Sequence, residues 1–557
     1  MIADELKYRI FEAFSFPPTT EQAVAISVFT DFLTCRDPRA VMILRGSAGT
    51  GKTTLAAAIV KALTVLRQKL VLMAPTGRAA KVFSLYAGQP AYTIHRRIYR
   101  QRSAGDMSTF NLNVNLSNDT LFIVDEASMI SNQGFGESTF GSGCLLDDLI
   151  TFVYSNDGQS VVRRAGGENC RLLLIGDRAQ LPPVGEETSP ALSTEVLRGY
   201  GLQVFETDLN EVLRQSQQSG ILWNATMIRG EGLLSGEESI RGEGQEVRGE
   251  KIALPRIQLQ GFSDIHVVPG DELIESLATS YSRAGMDDTL VITRSNKRAN
   301  IYNQGIRNTV LDREELLCRG DRLMIVKNNY YWITTQHPTT LQPTPNPSRR
   351  EGGLDTSTRD NSAQNQQQSN QTPLPSGGVG GGLLGGGLLG GGGSSFLANG
   401  DMATVQRVRN VHEQYGFHFA EVTLQFPDYD DMELTCMVLL DTLTAEAPSL
   451  TRDQQQQLYE GVMADYADVP LKSDRLRKLK EDRYYNALQV KFAYAVTCHK
   501  AQGGQWAHVY IDQGYMTDDM AGGDYLHWLY TAFTRATEQL FLVNWPASML
   551  SGQANSQ

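Results

Sequence analysis

The sequence predicts an α/β protein whose sheets are mainly parallel and covered by helices. Three observations carry that expectation. "AVMILRG", "KLVLMAP", "TLFIVDE" and "RLLLIGD" are short β-rich apolar runs, each ending in a polar or glycine-containing turn. Helix-compatible stretches such as "EQAVAISVFTDFL" alternate with them from Thr19 to about Glu206. The alternation resumes at "DTLVITRSNKRANIYNQGIR" (288–307) and again over 490–546, so a second α/β unit split by an insertion is expected. Strands alternating with helices build parallel sheets buried on both faces. Ligands then sit at the carboxyl ends of the strands.

The bulk numbers fit a multidomain protein. A chain of 557 residues exceeds what one core can hold. Its 41% hydrophobic and 20% charged content is ordinary for a soluble globular chain. A net charge of −12 argues against coating nucleic acid through bulk charge, but leaves room for a local basic groove. Cys35, Cys144, Cys170, Cys318, Cys436 and Cys498 are scattered, with no C-x-x-C pair and no histidine at zinc spacing. Reduced thiols and no zinc site are expected. "MIADELKYRIFEAF" lacks the apolar core of a signal peptide, and no run approaches the ~20 apolar residues that span a bilayer. A cytoplasmic protein without a membrane partner is the expectation.

The insertion has its own texture. "GDRLMIVKNNYYW", "FLANGDMATVQRVRN", "HFAEVTLQF" and "MELTCMVLL" read as short strands of a small β-barrel or sheet. Residues 335–395, rich in Gln, Asn, Pro and Gly and containing "GGVGGGLLGGGLLGGGG", cannot bury a core and read as disordered. A second polar stretch, 233–258, reads as a surface loop.

Chemistry begins at "GSAGTGKT", residues 46–53, which fits G-x-x-x-x-G-K-[ST] at every fixed position, between a strand and a helix. Gly46, Ser47, Ala48, Gly49, Thr50, Gly51, Lys52, Thr53 and Thr54 would form the phosphate cradle, from backbone N–H groups and a helix N-terminus. Lys52 would reach the β and γ phosphates of ATP, and the Thr53 hydroxyl would ligate Mg²⁺. "TLFIVDEAS" delivers Asp125 to the same Mg²⁺ and Glu126 beside it as general base for water. In "LLLIGDRAQLPPVG", Gln180 can touch both γ-phosphate and attacking water, with Pro182 and Pro183 stiffening the exit. Arg214 in "EVLRQ" and Arg535 in "YTAFTRA" can close from a second domain and stabilise transition-state charge.

The ordered set "GSAGTGKT", "APTGRAAK", "IVDEAS", "GDRAQLPPVG", "EVLRQ", "VTCHKAQGGQW" and "YTAFTRA" resembles superfamily 1B helicases of the RecD/Dda type. The resemblance covers nearly the whole chain apart from the low-complexity insert. It implies two RecA-like motor domains with ATP between them, and an SH3-like β subdomain inserted in the second motor. It also implies a short β-hairpin pin in the first motor, and 5′→3′ movement on single-stranded DNA. The implied divisions are a first motor over 1–205, with its pin at about 101–118, and a second motor over 206–310 and 486–557. The inserted subdomain takes 311–485, where "NGD" (399–401) matches a turn. Gln22 matches the adenine-reading glutamine of the family. Thr76 and Arg78 match the first DNA-contacting motif, and His95 in "TIHRRIYR" the second.

"GRAAK", "IHRRIYRQR" and "RSNKRAN" concentrate cations, and Phe83, Tyr92 or Tyr99 are available for base stacking, so a sequence-tolerant single-strand track is expected. "AVTCHKAQGGQW" (495–506) lacks P-loop spacing, and adjacent Cys498 and His499 cannot both address one ion. By resemblance it is a coupling loop. Thr497, His499 and Lys500 would face the DNA backbone. Gln502, Gly503 and Gly504 would turn toward the nucleotide, their glycines allowing close approach. Gln505 stands where the family more often has glutamate.

The function expected is an ATP- and Mg²⁺-dependent 5′→3′ DNA helicase. It would act on single-stranded and forked DNA in replication, repair or recombination, as a monomeric motor with possible replication or repair partners. Two rivals stay open. One is a translocase that strips proteins, works on RNA or serves a nuclease partner. The other is an inactive motor acting as scaffold.

Overall fold

The computed structural model describes residues 2–14, 16–103, 106–134, 140–154, 168–212, 218–230, 254–329, 331–336, 397–429, 431–517, 520 and 522–551. Arg214 and nearly all of 335–395 lie outside the described residues.

The first unit is a six-stranded parallel sheet. Its strands are β1 (Ala40–Gly46), β2 (Lys69–Ala74), β3 (Ala91–Thr93), β6 (Thr120–Val124), β7 (Arg171–Gly176) and β8 (Gln203–Leu209), in the order β3-β2-β6-β7-β1-β8. The four apolar runs of the sequence form the contiguous centre β2-β6-β7-β1. Burial on both faces explains why these runs are continuously apolar rather than alternating. Val41 and Ile43 of β1 enter one core, and Met42 and Leu44 the other. The N-terminal helix Ile2–Ala13 adds Leu6 and Ile10 to the second of these. β8 pairs with β1 over all of Ala40–Gly46, which carries the first sheet to Leu209, beyond the expected limit at 205.

Between β3 and β6 the chain leaves the sheet in an antiparallel hairpin, β4 (Tyr99–Ser103) and β5 (Asp106–Leu112). It starts and ends earlier than the expected 101–118, because Tyr99 already pairs with Leu112.

The second unit is a five-stranded parallel sheet of β10 (Ile265–Val268), β11 (Thr289–Thr293), β17 (Ala495–Thr497), β18 (Trp506–Asp512) and β19 (Ala536–Val543), in the order β10-β19-β18-β11-β17. A short parallel pair, β9 (Ile257–Gln258) with β20 (Leu550–Ser551), lies beside it. Ile257 is buried there, so the end of the polar stretch 233–258 belongs to the core rather than to a surface loop.

Inserted between β11 and β17 is a closed five-stranded barrel of β12 (Arg322–Ile325), β13 (Met402–Gln414), β14 (Phe417–Phe426), β15 (Met432–Leu439) and β16 (Leu488–Phe492). β14 gives Phe417, Phe419, Val422, Leu424 and Phe426 to the hydrophobic core that the barrel shares with the elements packed around it. Closure needs β16, which pairs with both β12 and β15, so the insertion runs to Phe492 rather than ending at 485. No helix of the described residues is long and apolar enough to cross a membrane.

Candidate functional site

The P-loop follows β1 and opens the helix Lys52–Val65. Gly49 and Gly51 have φ of +77° and +79°, a left-handed backbone that glycine reaches without a Cβ penalty. Gly46 also has to be small: a Cβ there would come within 2.8 Å of the Lys52 side chain. Thr50 is buried and its hydroxyl donates to the Ser47 carbonyl at 2.8 Å. The Lys52 ammonium donates to the carbonyls of Gly46 and Ser47 and lies 3.7 Å from Asp177. Thr53 and Thr54 stand exposed on the first helical turn. This loop joins left-handed glycines, a helix N-terminus and a cation, which suits a polyphosphate.

Gln22 packs against the back of the loop. It forms a capping box with Thr19, and its amide nitrogen donates to the Thr50 carbonyl at 3.1 Å. Two of its hydrogen-bonding positions are therefore engaged by protein.

β6 delivers the acidic pair. Asp125 accepts from the Tyr86 phenol and from the Glu126 N–H at 2.9 Å. Glu126 sits at φ +53°, a conformation uncommon for a residue with a side chain and a mark of functional sites. Burial raises both carboxyls above their usual range; Tyr86 and Lys52 oppose this at Asp125, and Arg535 and Lys52 at Glu126. Gln180 lies between the two sheets' contributions. With its amide oriented to satisfy both neighbours, it donates to Glu126 at 3.2 Å and accepts from Arg535 at 3.2 Å.

Arg535 is buried at the end of the helix Gly523–Phe533, in the second unit. It donates to the carbonyls of Thr531 and Gly504, at 3.0 Å and 3.1 Å. Lys52, Glu126, Gln180 and Arg535 thus meet in one cleft. The structure adds residues that sequence reasoning passed over. Arg229, at the end of the helix Gly220–Ile228, donates to the Ser47 hydroxyl and to Asn210. Tyr530 donates to Asp177 and accepts from the Ala48 N–H. Tyr530 and Asp177 lie inside motifs already recognised, "YTAFTRA" and "GDRAQ". Arg229 had no signal beyond an arginine ending an apolar helix.

The loop after β17 joins the two units. Gln502 donates to the Leu181 carbonyl at 2.7 Å. Gly503 has φ +72°, and a Cβ on it would meet Ala79 at 2.9 Å and the Thr76 hydroxyl at 3.1 Å. The Arg78 guanidinium lies 4.3 Å from the Trp506 ring centre and donates to the Gln505 carbonyl at 2.9 Å. Arg78 is therefore held between the units. The Thr76 hydroxyl caps the helix Gly77–Ala87 through the Ala79 N–H. Thr497 precedes the helix Cys498–Ala501, which carries His499 and Lys500, and partial desolvation lowers the pKa of both.

His95 packs its ring 5.0 Å from Phe140 and 5.7 Å from Tyr99. Burial lowers its pKa to about 4, so near neutral pH it supplies no cation to a phosphate. Two of the three stacking aromatics are also withdrawn: Phe83 and Tyr99 are core residues, because their helix and strand turn those side chains inward. Tyr92 remains exposed, with Arg96 over its ring at 5.2 Å.

Comparison with known proteins points the same way. An "AAA domain" family model matches residues 20–137, and a "UvrD-like helicase C-terminal domain" model matches 492–543. The ATP-dependent RecD2 DNA helicase of Deinococcus radiodurans is 28% identical over 204 residues, spanning 36% of this chain and 23% of that protein. The chain thus matches less than a quarter of that relative's length. Among solved structures, Pif1 helicase from Bacteroides with ADP-AlF3 and ssDNA aligns over 97% of this chain and 95% of its own, at 13% identity and a TM-score of 0.40. Pif1 helicase from Candida albicans aligns over 95% and 96%, at 14% identity and a TM-score of 0.35. The two family models fall on the two sheets, one on each side of the cleft that the ordered motifs line. Together with the RecD2 relative, these matches make the chain similar to superfamily 1B helicases of the RecD type in the segments on both sides of that cleft.

Proposed function

We propose that the protein is an ATP-dependent DNA helicase that moves 5′→3′ on single-stranded DNA and opens forked duplexes. The observation that carries this is the meeting of Lys52, Glu126, Gln180 and Arg535, drawn from both sheets, in one cleft. In this reading Lys52 and the P-loop amides hold the phosphates. Glu126, its basicity raised by burial, takes a proton from the attacking water, and Gln180 orients that water. Arg535 neutralises charge that develops on the transferred phosphoryl, with Arg214 assigned the same task. Gln22 is assigned to adenine, and Gly504 to the nucleotide side of the coupling loop. Thr53 and Asp125 are hard oxygen donors of the kind Mg²⁺ takes, and Asp125 feels the Lys52 charge from nearby. The ion would supply charge neutralisation between the phosphates.

On the DNA side, Thr76, Thr497, His499 and Lys500 are assigned to the backbone. Arg78 and His95 take lesser parts, because their side chains are engaged within the protein. The hairpin β4–β5 is assigned as the strand-separating pin, and the barrel as the SH3-like subdomain. The cellular roles that go with this reading are replication, repair or recombination, carried out by a monomer in the cytoplasm. The RecD2 relative is described as an ATP-dependent DNA helicase, which agrees with the assignment.

Lys52→Ala should abolish both phosphate release and strand displacement. Displacement assays on 5′-tailed and 3′-tailed duplexes of DNA and RNA test polarity and substrate together. Unwinding only from 3′ tails, or only of RNA, contradicts the specific reading. Wild-type rates in Lys52→Ala contradict it altogether.

A further inference from the structure

The helix Gly523–Phe533 of the second unit lays three side chains along the loop Asp177–Leu181 of the first. His527 Nδ1 lies 2.9 Å from the Ala179 carbonyl, and Thr531 accepts from the Leu181 N–H at 2.7 Å. Between them, Tyr530 is fully buried. Its phenol donates to Asp177 Oδ2 at 2.6 Å and accepts from the Ala48 N–H at 2.9 Å. Asp177 Oδ2 is also 3.7 Å from the Lys52 ammonium. One carboxylate oxygen is therefore shared between a phenol of one unit and the P-loop lysine of the other. The other oxygen, Oδ1, takes the Ala179 N–H at 3.0 Å.

We propose that Tyr530 is a positioning residue through which the second motor controls how firmly Asp177 holds Lys52. The phenol O–H takes up acceptor capacity on Asp177 Oδ2 and weakens the carboxylate's grip on the ammonium. With the phenol present, Asp177 holds Lys52 more weakly, and the ammonium can leave the Gly46 and Ser47 carbonyls for phosphate. With the phenol withdrawn, Asp177 retains Lys52, and the Ala48 N–H loses its partner. Closure of the two units thus prepares the P-loop, and opening disarms it. Burial, and then the Asp177 charge, hold the phenol pKa well above its usual value, so Tyr530 acts as a neutral donor throughout the working pH range.

The inference rests on the ATPase reading, and the test separates the two. Phosphate release with single-stranded DNA is measured against ATP concentration for wild type, Tyr530→Phe, Asp177→Asn and the double variant. Tyr530→Phe should raise KM for ATP ~10-fold with kcat reduced less than ~3-fold, the scale of one lost hydrogen bond to a charged group. In the Asp177→Asn background the same change should shift KM less than ~2-fold, because the competing charge is gone. Thr531→Val loosens the neighbouring contact without touching Asp177 and should leave KM in place. KM does not depend on the folded fraction, so partial unfolding cannot imitate the result. An unchanged KM in Tyr530→Phe, independent effects in the double variant, or an equal rise in Thr531→Val overturns the proposal. A wild type that releases no phosphate overturns the ATPase reading instead.

Discussion

The barrel meets its own motor and the opposite motor through two buried aspartates, and the two are built differently. Asp321 stands where the chain enters the barrel. It accepts from Arg307 at 3.0 Å, Arg313 at 2.7 Å, the Cys318 N–H at 2.7 Å and the Tyr494 phenol at 2.8 Å. Tyr494 lies where the chain leaves β16, so one carboxylate ties entry to exit. Asp401 faces the first motor. Its Oδ2 accepts from the Tyr429 phenol at 2.6 Å and the Ala398 N–H at 2.7 Å. Its Oδ1 has no partner among the described residues and crowds Gly77, where a Cβ would lie 2.8 Å away. Asp428 Oδ2 and Arg78 Nε are likewise unsatisfied at this contact. A fully paired buried charge fixes geometry, whereas an unpaired buried polar atom costs free energy. The barrel is therefore firmly rooted in the second motor and only lightly latched to the first.

Breaking the root should have the largest effect. Asp321→Ala leaves Arg307 and Arg313 without their carboxylate, and should cost about 3–5 kcal/mol in urea unfolding. A loss under 1 kcal/mol, the scale of an exposed pair, would equate root with latch.

The latch should respond to pH. Burial raises the Asp401 carboxyl to about 7. Between the ordinary Asp range and pH 7 the folded chain keeps a proton that the unfolded chain has lost. Stability from this group is complete below the unfolded pKa and is lost as pH rises through about 7. Asp401→Asn should remove that dependence and stabilise the protein at pH 8 by about 1–3 kcal/mol, read from melts at pH 5 and pH 8. The smallest effect belongs to Lys81, which donates to the Pro427 carbonyl at 2.7 Å and lies 3.6 Å from Asp428. Lys81→Ala should cost at most about 1 kcal/mol, since its ammonium is partly exposed.

What the sequence made legible follows the same division. The P-loop, the Asp125–Glu126 pair and Gln180 could be read because fixed spacing next to an apolar strand is itself the signal. The four central strands of the first sheet were readable because burial on both faces leaves unbroken apolar runs. Contacts across the cleft were not. Tyr530 and Ala48 are 482 positions apart, and nothing local marks a tyrosine as facing a P-loop. Phe83, Tyr99 and His95 looked available because aromatic rings near cations suit nucleic acid, yet tertiary packing claims them for the core. The end of the barrel was misplaced because β16 completes the barrel although it lies only two residues before β17 of the motor sheet.

The most direct test of the motor assignment is steady-state phosphate release by the full chain, with and without single-stranded DNA, for wild type and Lys52→Ala. The account predicts release that single-stranded DNA accelerates several-fold in wild type and that is absent from Lys52→Ala. Release indifferent to DNA, or persisting in Lys52→Ala, would contradict it.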